Sequence, residues 1–490
     1  MSEVAFFADF WRPFLIIINF IYIITAIIVS ISVIMDNRNP AKTISWIIIL
    51  FLLPFIGLII YFMVGQNYRK QKIFTRKGME DFKRIQSLRE KQLIEIKEDD
   101  FIEDENIRKK LHIIKLLLKN NKALLTRKNK TEILNNGSRI FGSIKSALKN
   151  AKDHIHIEFY IIEDDRIGNE IKDILIEKAN EGVKVRLIYD DVGSWKLSGR
   201  FIDSLRRAGV EVNPFMPVKF PFLANRLNYR NHRKIIIIDG KTGFVGGINI
   251  ADRYLYGDRK IKFWRDTHLK IEGEAVSSLQ AVFLIDWHFV CGRLLDEYRY
   301  FPKTAIRKSN FVQIISSGPD SDWASIMQSF FSAITTAREY IYITVPYFIP
   351  NESILTALKT VSLSGTEVSI ILPAKSDSWL AYYGTMSYVE ELLEAGINVY
   401  TYQKGFVHSK LIMVDDIFSS VGTANMDIRS FDDNFEVNAL IYDEDTTAML
   451  KKHFLEDLRE CKKISPEEYM KRPLSRKFFE SVARLFSPLL

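Results

Sequence analysis

The sequence predicts an α/β protein of two similar lobes that share a cleft, preceded by a hairpin of two membrane-spanning helices. Three observations support this prediction. Two long uncharged apolar stretches lie near the start of the chain, the remaining sequence repeats itself once, and each repeat carries the same short polar motif. Strand-like segments alternate with helix-like ones in each repeat, which indicates the α/β class. The duplication predicts lobes related by a pseudo-twofold axis.

The composition is that of a globular protein with an anionic partner. The chain has 490 residues, too many for one average domain, and 47% of them are hydrophobic. The formal net charge of +8 suits nucleic acid or lipid headgroups, without deciding between them. The two cysteines, Cys291 and Cys461, exclude a disulfide framework and a CxxC zinc site. We therefore expect a reducing, cytoplasmic setting for the folded part.

Residues 1–68 are predicted to hold two transmembrane helices, at about residues 14–35 and 44–64. About 20 apolar residues cross the hydrocarbon core of a bilayer as a helix. Trp11, Trp46 and Tyr68 lie near the expected interfaces, where amphipathic rings are favoured. The alternatives are a cleaved signal peptide and a buried core helix. A signal peptide has a shorter apolar region and does not come as a hairpin.

Basic residues predict the orientation of this hairpin. Residues 36–43, between the two stretches, contain two basic residues, whereas residues 69–77 contain five. Basic flanks remain on the inner side of a membrane. The large C-terminal part should therefore face the cytoplasm, against the inner leaflet of the membrane. Residues 69–131 are charged and helix-like, with an acidic run from Glu98 to Glu105, and are interpreted as a solvated connector.

The rest of the chain consists of two repeats. Each repeat begins with a strand-like segment rich in β-branched and aromatic residues, and two further strand-like segments follow. The matched pairs of segments are 154–160 with 340–346, 183–189 with 368–372, and 208–212 with 395–399. We predict a first lobe at residues 132–305 and a second at residues 306–465.

A motif of the form H-x-K-x4-D followed by G-x-x-N occurs once in each lobe. The copies contain His232, Lys234, Asp239 and Asn249 in the first lobe, and His408, Lys410, Asp415 and Asn425 in the second. The histidine and asparagine are 17 residues apart in both copies. Each residue type fills a given position about one time in twenty by chance. The identical spacing therefore indicates a functional site formed by both lobes.

The residue types of the motif are suited to phosphoryl chemistry. Histidine and lysine two positions apart on a strand share one face. A neutral histidine can attack phosphorus, a second can protonate the leaving alcohol, and lysine and asparagine can bind phosphoryl oxygens. A third group should orient each imidazole. The candidates are Asp266 within the first lobe and Glu436 within the second. For Asp239 and Asp415, a catalytic role and a structural role in capping a turn are both open.

No metal and no cofactor are expected. Lysine is a poor metal ligand, and the sequence contains no H-E-x-x-H motif. Gly240-Lys241-Thr242 resembles the end of a phosphate-binding loop, but Ile235 stands where that loop requires its first glycine. The histidines outside the motif are interpreted as structural; they are His112, His154, His156, His268, His288 and His453.

The paired motifs resemble those of the phospholipase D superfamily, over residues 132–465. Within it, three further segments resemble the bacterial cardiolipin synthases: residues 37–46, residues 246–252 and the ending at residues 487–490. The resemblance implies reversible phosphatidyl transfer between two phosphatidylglycerols, which gives cardiolipin and glycerol through a phosphatidyl-histidine. It implies His232 as the nucleophile and His408 as the general acid and base, an order that the sequence itself does not establish.

The expected partners are phosphatidylglycerol, cardiolipin and an anionic lipid surface, and no nucleic acid; the oligomeric state is open. First-lobe loops with aromatic and basic residues, between residues 212 and 232 and at residues 253–264, are interpreted either as a lipid entrance or as ordinary loops. Residues 466–490 form a basic amphipathic tail that either lies on the membrane surface or packs on the domain.

Other functions are less well supported by the sequence. A hydrolytic phospholipase D, or another phosphatidyltransferase such as a phosphatidylserine synthase, would carry the same motif, because the motif does not distinguish water from an alcohol as acceptor. A nuclease of the superfamily has no evident use for a membrane hairpin. A non-catalytic scaffold is disfavoured by two intact histidine–lysine pairs.

Overall fold

The computed structural model describes residues 2–35, 40–61, 92, 105–218, 229–308 and 310–487. The chain divides into two compact units, one of residues 1–73 with 218–228 and the other of residues 74–217 with 229–490. The described helices of the first unit are α1 (Ser2–Met35), α2 (Pro40–Leu52) and α3 (Ile56–Ile60). Val29 and Val33 of α1 pack with Leu50 and Tyr61 in a small apolar cluster.

The two apolar stretches of this unit differ in structure. Among the described residues, Pro13–Met35 is the one helix whose length and composition allow it to cross a membrane. The second stretch is not the single helix that was predicted, because a break separates α2 from α3. Pro54 lies in this break and lacks the N–H that a continuous helix needs, and Phe55 adopts a φ of 64°. Residues 62–64, the end of the predicted span, lie outside the described residues.

The described end of the predicted connector is not solvated. It forms helices α4 (Glu105–Arg108) and α5 (Leu111–Asn120) and the short strand β1 (Leu125–Thr126). The apolar face of α5 is buried in the core of the second lobe, and β1 pairs antiparallel with strand β10 (Phe311–Ser317). The apolar periodicity of α5 accounts for this packing. Most of residues 69–104, including nearly all of the acidic run, lies outside the described residues.

The first lobe is built on a sheet of seven strands, counted over the described residues, in the order β2-β9-β7-β6-β3-β4-β5. The strands are β2 (Asn129–Asn135), β3 (His154–Phe159), β4 (Lys184–Asp190), β5 (Glu211–Phe215), β6 (Lys234–Ile238), β7 (Thr242–Gly246) and β9 (Thr267–Gly273). The helices are α6 (Asn136–Lys149), α7 (Arg166–Asn180), α8 (Gly199–Arg207), α9 (Arg253–Tyr256) and α10 (Ala275–Cys291).

The second lobe has the corresponding sheet, with two additional edge strands; its nine described strands follow the order β1-β10-β19-β17-β16-β11-β13-β14-β20. Beyond β1 and β10, the strands are β11 (Tyr340–Thr344), β13 (Glu367–Pro373), β14 (Asn398–Tyr402), β16 (Leu411–Val414), β17 (Phe418–Gly422), β19 (Glu436–Tyr442) and β20 (Cys461–Lys463). The helices are α11 (Ser325–Thr335), α12 (Glu352–Leu363), α13 (Trp379–Met386), α14 (Val389–Glu394), α15 (Ile428–Asp432), α16 (Glu444–Leu458), α17 (Pro466–Met470) and α18 (Leu474–Leu485).

The two lobes share one topology. Strand β3 pairs parallel with β4 and antiparallel with β6, just as β11 pairs parallel with β13 and antiparallel with β16. A short parallel pair, β8 (Trp264–Arg265) with β15 (Phe406–Val407), joins the lobes. Another short parallel pair, β12 (Phe348–Ile349) with β18 (Met426–Asp427), lies within the second lobe. The strands and the duplication predicted from the sequence are therefore present.

The C-terminal segment packs on the second lobe. Helix α18 lies against α13, with Glu480 and Ala483 buried. Arg472 and Arg476 form ion pairs with the buried Glu480 carboxylate. The opposite side of α18 stays exposed and apolar; its exposed side chains include Leu474, Phe478 and Leu485. Packing on the domain, one of the two expected alternatives, therefore leaves an apolar face uncovered.

Candidate active site

The backbone of the opposite lobe holds each motif histidine in place. His232 N–H donates to the Phe435 carbonyl oxygen at 2.9 Å, and His408 N–H donates to the Arg265 carbonyl oxygen at 2.7 Å. An isolated bridge between Asn231 and Phe435 and the β8–β15 pair extend these contacts. The two motifs therefore meet at the junction of the lobes. The backbone at each motif histidine pairs with a backbone segment of the opposite lobe.

Each imidazole is paired with a carboxylate of the opposite lobe. Nδ1 of His232 lies 2.9 Å from Glu436 Oε1, and Nδ1 of His408 lies 2.8 Å from Asp266 Oδ2. Both candidate carboxylates therefore contact an imidazole, but each contacts the histidine of the opposite lobe, whereas the sequence analysis assigned it to the histidine of its own lobe. The reason is geometric: Phe435 and Arg265, which bind the histidine backbones, immediately precede Glu436 and Asp266 in the chain. The backbone contact therefore delivers the carboxylate across the junction.

The second residue of each G-x-x-N segment adapts the site to its carboxylate. Thr423 Oγ1 donates to Glu436 Oε2 at 2.5 Å. The first lobe has Gly247 at this position, and a Cβ added there would lie 2.3 Å from Asp266 Oδ1. Asp266 instead accepts the backbone N–H of Thr267 at 2.8 Å. A glycine is thus required where the shorter aspartate approaches the turn.

The motif lysines are buried beside the histidines. Nζ of Lys234 donates to the His232 carbonyl oxygen at 2.7 Å, and Nζ of Lys410 makes the same bond to the His408 carbonyl oxygen. Nζ of Lys410 also lies 3.3 Å from both ring nitrogens of His408. Nζ of Lys234 lies over the Tyr160 ring, 5.5 Å from the ring centroid. Two cationic side chains therefore point into one small region at the lobe junction.

Burial and mutual repulsion keep these bases less basic than usual. Burial lowers the pKa of His232 to about 4, and the charge of Lys234 also lowers it, although Glu436 opposes both effects. Burial also lowers the pKa of His408 well below its usual value, together with the charges of Lys410 and Lys234. Both imidazoles are therefore neutral near pH 7, as a nucleophile requires.

Burial also shifts the pKa values of the motif lysines and of the carboxylates. Burial lowers the pKa of Lys410 to about 8 and that of Lys234 well below its usual value. Burial also raises the pKa of Asp266 to about 6. Glu436 differs: burial raises its pKa, but the contact with His232, the charge of Lys234 and the hydrogen bond from Thr423 outweigh burial and lower the pKa of this carboxylate. The two histidine–carboxylate pairs are therefore electrostatically unequal.

The motif asparagines lie at the same junction. Asn249 Oδ1 accepts the Ile161 N–H at 3.2 Å, and its Nδ2 donates to the Tyr254 hydroxyl at 2.7 Å. The backbone N–H of Asn425 donates to Ser430 Oγ at 3.1 Å. Among the described residues, the buried Oδ1 of Asn425 has no hydrogen-bond partner. Both amides are buried, and Tyr254, which accepts from Asn249, has its ring centroid 5.7 Å from that of His408.

The motif aspartates bind backbone groups at the ends of the sheets that are opposite to the histidines. Asp239 Oδ1 accepts the N–H groups of Asp153 and His154, at 2.7 and 3.0 Å. Asp415 Oδ1 accepts the N–H groups of Arg338 and Glu339 in the same way. Each aspartate lies five residues beyond its motif lysine, which is about 16 Å along a strand. The structure thus places both aspartates in turns at strand starts, the second of the two expected roles, and not beside the histidines.

Aromatic rings that sequence reasoning did not assign to the site enclose the imidazoles. The Tyr160 ring centroid lies 5.0 Å from that of His232. The Tyr254 and Trp264 centroids lie 5.7 and 5.5 Å from that of His408. The last two come from the longer first-lobe segment, which was interpreted either as a lipid entrance or as an ordinary loop, so its unusual length was a usable signal. Arg253 of this segment is paired with Glu163, and residues 219–228 of the other loop lie outside the described residues.

The remaining histidines and acids give no sign of a metal centre. Across the described ranges, no group of three or more His, Cys, Asp or Glu side chains is placed to hold a metal ion. His154 and His156 share the side chain of Gln280 within the first-lobe core. His268 is buried behind the site, and burial lowers its pKa to about 4. What the site offers is two neutral imidazoles, two amines and two amides.

Two family profiles match parts of the chain. A family profile described as "Cardiolipin synthase, PLD-like domain" matches residues 144–287 and 330–458. A second profile, "Phospholipase D-nuclease N-terminal", matches residues 17–66. The two segments of the first profile contain one copy of the H-x-K motif each.

Full-length relatives share the similarity. The chain is 46% identical to a cardiolipin synthase from a Geobacillus species, over 98% of this chain and 96% of that protein. It is 44% identical to cardiolipin synthase 2 of Bacillus anthracis, over 96% and 91%. Among solved structures, a phosphatidylserine synthase from Haemophilus influenzae covers 79% of this chain and 100% of its own, with 17% identity and a TM-score of 0.59. That last likeness concerns the fold.

Proposed function

The chain belongs to the cardiolipin synthase family of phospholipase D-like phosphatidyltransferases, and from this membership we propose that it joins two phosphatidylglycerol molecules into cardiolipin and releases glycerol. The observation that carries the proposal is the pair of cross-lobe histidine–carboxylate contacts. Such a pair supplies a nucleophile and a proton donor on opposite sides of one phosphorus atom. One phosphodiester replaces another, so no nucleotide is consumed.

In the first half-reaction, Nε2 of His232 attacks the phosphorus of one phosphatidylglycerol. The bond from phosphorus to the glycerol oxygen breaks, and this oxygen takes a proton from His408. The products are glycerol and a phosphatidyl-histidine. The hydrogen bond from Nδ1 to Glu436 favours this chemistry, because it leaves the Nε2 lone pair for the attack.

In the second half-reaction, a headgroup hydroxyl of another phosphatidylglycerol gives its proton to His408 and attacks the same phosphorus. The bond between phosphorus and His232 breaks, and cardiolipin forms. The unequal carboxylates support this order of roles. Asp266, whose pKa burial raises to about 6, suits a pair that gains and loses a proton near neutral pH. Glu436, whose pKa is lowered, suits a pair that keeps one tautomer.

Lys234, Lys410, Asn249 and Asn425 are proposed to bind the phosphoryl oxygens. The lysines are cations in a buried site, where charge stabilisation of a transition state is strongest. A bound phosphodiester carries one negative charge next to them, and that charge raises the pKa values of both lysines and both histidines. Substrate binding therefore favours the protonated lysines and the protonated acid that the reaction needs.

The architecture proposed around this site has two lobes related by a pseudo-twofold axis, with the substrate cleft between them. Residues 1–68 are proposed to form a transmembrane hairpin, residues 69–131 a connector, residues 132–305 and 306–465 the lobes, and residues 466–490 a tail. The apolar α1 and the basic residues after the second stretch support a cytoplasmic catalytic domain at the bacterial membrane.

An exposed apolar surface on the second lobe is proposed to rest on the anionic lipid surface. This lipid-facing patch consists of Trp379 on α13 with Leu474, Phe478 and Leu485 on α18, all more than half exposed. The Phe479 ring connects the two helices, 5.8 Å from the Trp379 ring. Contiguous exposed apolar side chains on a soluble surface are typical of an interaction site, and tryptophan favours the membrane interface.

A product assay tests the proposed function. The purified full-length enzyme receives phosphatidylglycerol alone in detergent micelles. Cardiolipin and glycerol in equal amounts are expected. Phosphatidic acid and glycerol would instead identify a hydrolytic phospholipase D, and exchange that requires added serine would identify a phosphatidylserine synthase.

A further inference from the structure

A tyrosine and an aspartate lie at the edge of the second-lobe sheet that carries His408. Tyr347 follows the carboxyl end of β11, and Asp377 follows that of the parallel strand β13. The Tyr347 hydroxyl donates to Asp377 Oδ1 at 2.6 Å, and Ser376 Oγ lies 3.3 Å from the same oxygen. Ligands of α/β proteins commonly bind beyond the carboxyl ends of parallel strands.

This pair lies on the acid–base side of the site, because the Tyr347 ring lies 6.3 Å from that of Phe406, which lies 5.8 Å from that of His408. Burial lowers the pKa values of His408 and Lys410, and the charge of Asp377 opposes both decreases. Asp377 also lies close enough to act on Tyr254, whose ring is 5.7 Å from that of His408. The Tyr254 hydroxyl accepts the Asn249 amide, which ties this tyrosine to the motif. Asp377, Tyr347 and Tyr254 therefore border the space next to His408.

At the matching edge of the first lobe, the carboxylate that ends strand β4 already has several hydrogen-bond partners. There the acidic residue at the end of β4 is Asp190, which is fully buried. Its oxygens accept the N–H groups of Gly193 and Asn231 at 2.8 and 2.9 Å, and Arg230 lies 3.4 Å away. Asp377 is exposed instead, and within the described part of the chain no group donates to its Oδ2. The carboxylate on the second-lobe side, Asp377, thus has an oxygen available to accept a hydrogen bond, whereas the oxygens of Asp190 already have partners.

A carboxylate beside a phosphodiester site needs an explanation, because it repels the anionic substrate. We propose that Asp377, held by Tyr347 and assisted by Tyr254, binds the free hydroxyl groups of the glycerol headgroup. Hydroxyl groups are neutral donors, and a hydrogen bond to a carboxylate is short and strong. This proposal rests on the proposed function and names the part of that site that recognises the alcohol.

One subsite serves both half-reactions. The leaving glycerol departs from the side of phosphorus opposite His232, and the attacking headgroup must enter from that same side by microscopic reversibility. Both alcohols therefore pass His408 and meet Asp377. Water needs no such subsite, and the carboxylate of a serine acceptor would be repelled. Asp377 accordingly favours a polyol over both competing acceptors.

The reverse reaction gives a direct test, because its acceptor is free glycerol. Full-length enzyme in mixed micelles converts cardiolipin and glycerol into phosphatidylglycerol, and ethanol replaces glycerol in a parallel series. For Asp377→Asn, the KM for glycerol is expected to rise about 10- to 100-fold, the loss of one charge-assisted hydrogen bond. The kcat/KM for ethanol should fall by a much smaller factor, because ethanol has no further hydroxyl group to bind and loses only the effect of the Asp377 charge on His408 and Lys410. Tyr347→Phe should raise the glycerol KM in the same direction by a smaller factor.

Asp416→Asn is the matched control. Asp416 Oδ1 accepts the Tyr340 hydroxyl at 2.9 Å, which gives the same residue pair at the opposite end of strand β11. This variant should leave both acceptors unaffected. An unchanged glycerol KM in Asp377→Asn, or an equal loss with glycerol and ethanol, would overturn the subsite while leaving the proposed function intact. A wild-type enzyme that converts neither acceptor would overturn the proposed function and the subsite with it.

Discussion

His232 of the first lobe and Glu436 of the second lobe form a buried contact of 2.9 Å between Nδ1 and Oε1. The reciprocal contact joins His408 to Asp266 at 2.8 Å. Neither lobe holds a histidine together with the carboxylate that orients it. The duplicated lobes are therefore interdependent, and the predictions below follow from that exchange of side chains.

Removing the charge of either carboxylate should impair chemistry much more than binding. Glu436→Gln and Asp266→Asn keep the size of the side chain but can stabilise the wrong imidazole tautomer. Loss of the corresponding aspartate in a serine protease triad lowers kcat about 10⁴-fold. We expect kcat to fall by about 10²- to 10⁴-fold in each variant, with KM for phosphatidylglycerol changed less than about threefold.

Thr423→Val is the graded counterpart. It removes one donor to Glu436 without touching the imidazole contact, so a smaller decrease in kcat, about tenfold, is expected. Full activity of Glu436→Gln, with the wild-type melting temperature, would show that the cross-lobe contact has no catalytic role.

The two histidines should behave as one unit. His232→Ala and His408→Ala are each expected to reduce kcat by about 10⁴-fold or more, and the double variant should be no worse than the poorer single variant. The reason is that attack and proton donation belong to the same step. Initial rates of cardiolipin formation for all four enzymes provide the measurement. Additive losses would mean that the histidines act in separate reactions.

The pH dependence of kcat/KM should follow groups of the free enzyme. Lys410, with its pKa at about 8, loses its charge and its grip on phosphate as the pH rises through that value. Asp266, with its pKa at about 6, gains a proton as the pH falls through that value and ceases to anchor His408. We therefore expect a bell with its maximum between these two values, measured in micelles at constant ionic strength.

Lys410→Arg isolates the alkaline limb. Arginine stays charged at all accessible pH values, so the decrease above pH 8 should vanish even if the rate at the optimum is lower. An alkaline limb that persists in this variant would assign the titration to another group.

Asp239 and Asp415 should matter for stability and not for chemistry. Each carboxylate accepts several N–H groups where a strand begins. Asp239→Ala or Asp415→Ala is expected to lower the melting temperature by roughly 5–10 °C. Asn at either position keeps one acceptor and tolerates the positive φ, so it should cost less. A large loss of kcat in a variant with unchanged melting would instead restore the catalytic interpretation.

The lipid-facing patch should matter only when the substrate is in a bilayer. Polar replacement of either Trp379 or Phe478 is expected to lower turnover in phosphatidylglycerol vesicles about tenfold or more, since one aromatic side chain buried in lipid contributes roughly 1.5–3 kcal/mol, a factor of about 10 to 150. Turnover of a short-chain, monomeric phosphatidylglycerol should not change. The exposed Tyr298, replaced by serine, provides a control from a different surface. If the patch variants were as active as the wild-type enzyme in both assays, a membrane contact at this surface would be excluded.

Much of the fold was predictable because its signals are local. Strands such as His154–Phe159 and Tyr340–Thr344 are dense in β-branched and aromatic residues, and the repeat revealed the two sheets. The motif spacing selected the histidines and the lysines as candidates, and the matching of the two repeats added Asp266 and Glu436. Each of these inferences needs only residues close together in the sequence.

The failures concern contacts between distant segments. No spacing rule indicates that Glu436 crosses to His232, because within-lobe and cross-lobe pairing leave the same sequence pattern. Residues 69–131 were interpreted as a solvated connector because they are charged, yet the apolar side of helix α5 packs into the second lobe. Pro54 interrupts an apolar stretch that hydropathy alone predicts to be continuous. Tyr160 and Trp264 reach the imidazoles through tertiary structure that the sequence does not specify locally.

A covalent adduct on His232 tests the central claim most directly. A phosphatidyl substrate with p-nitrophenol as leaving group needs no acid, so His408→Ala should release a burst of about one p-nitrophenolate per enzyme. Alkaline quenching and peptide mass spectrometry should then locate the phosphatidyl group on His232, and His232→Ala should give no burst. A burst in His232→Ala, or turnover in His408→Ala with no adduct on His232, would contradict the account.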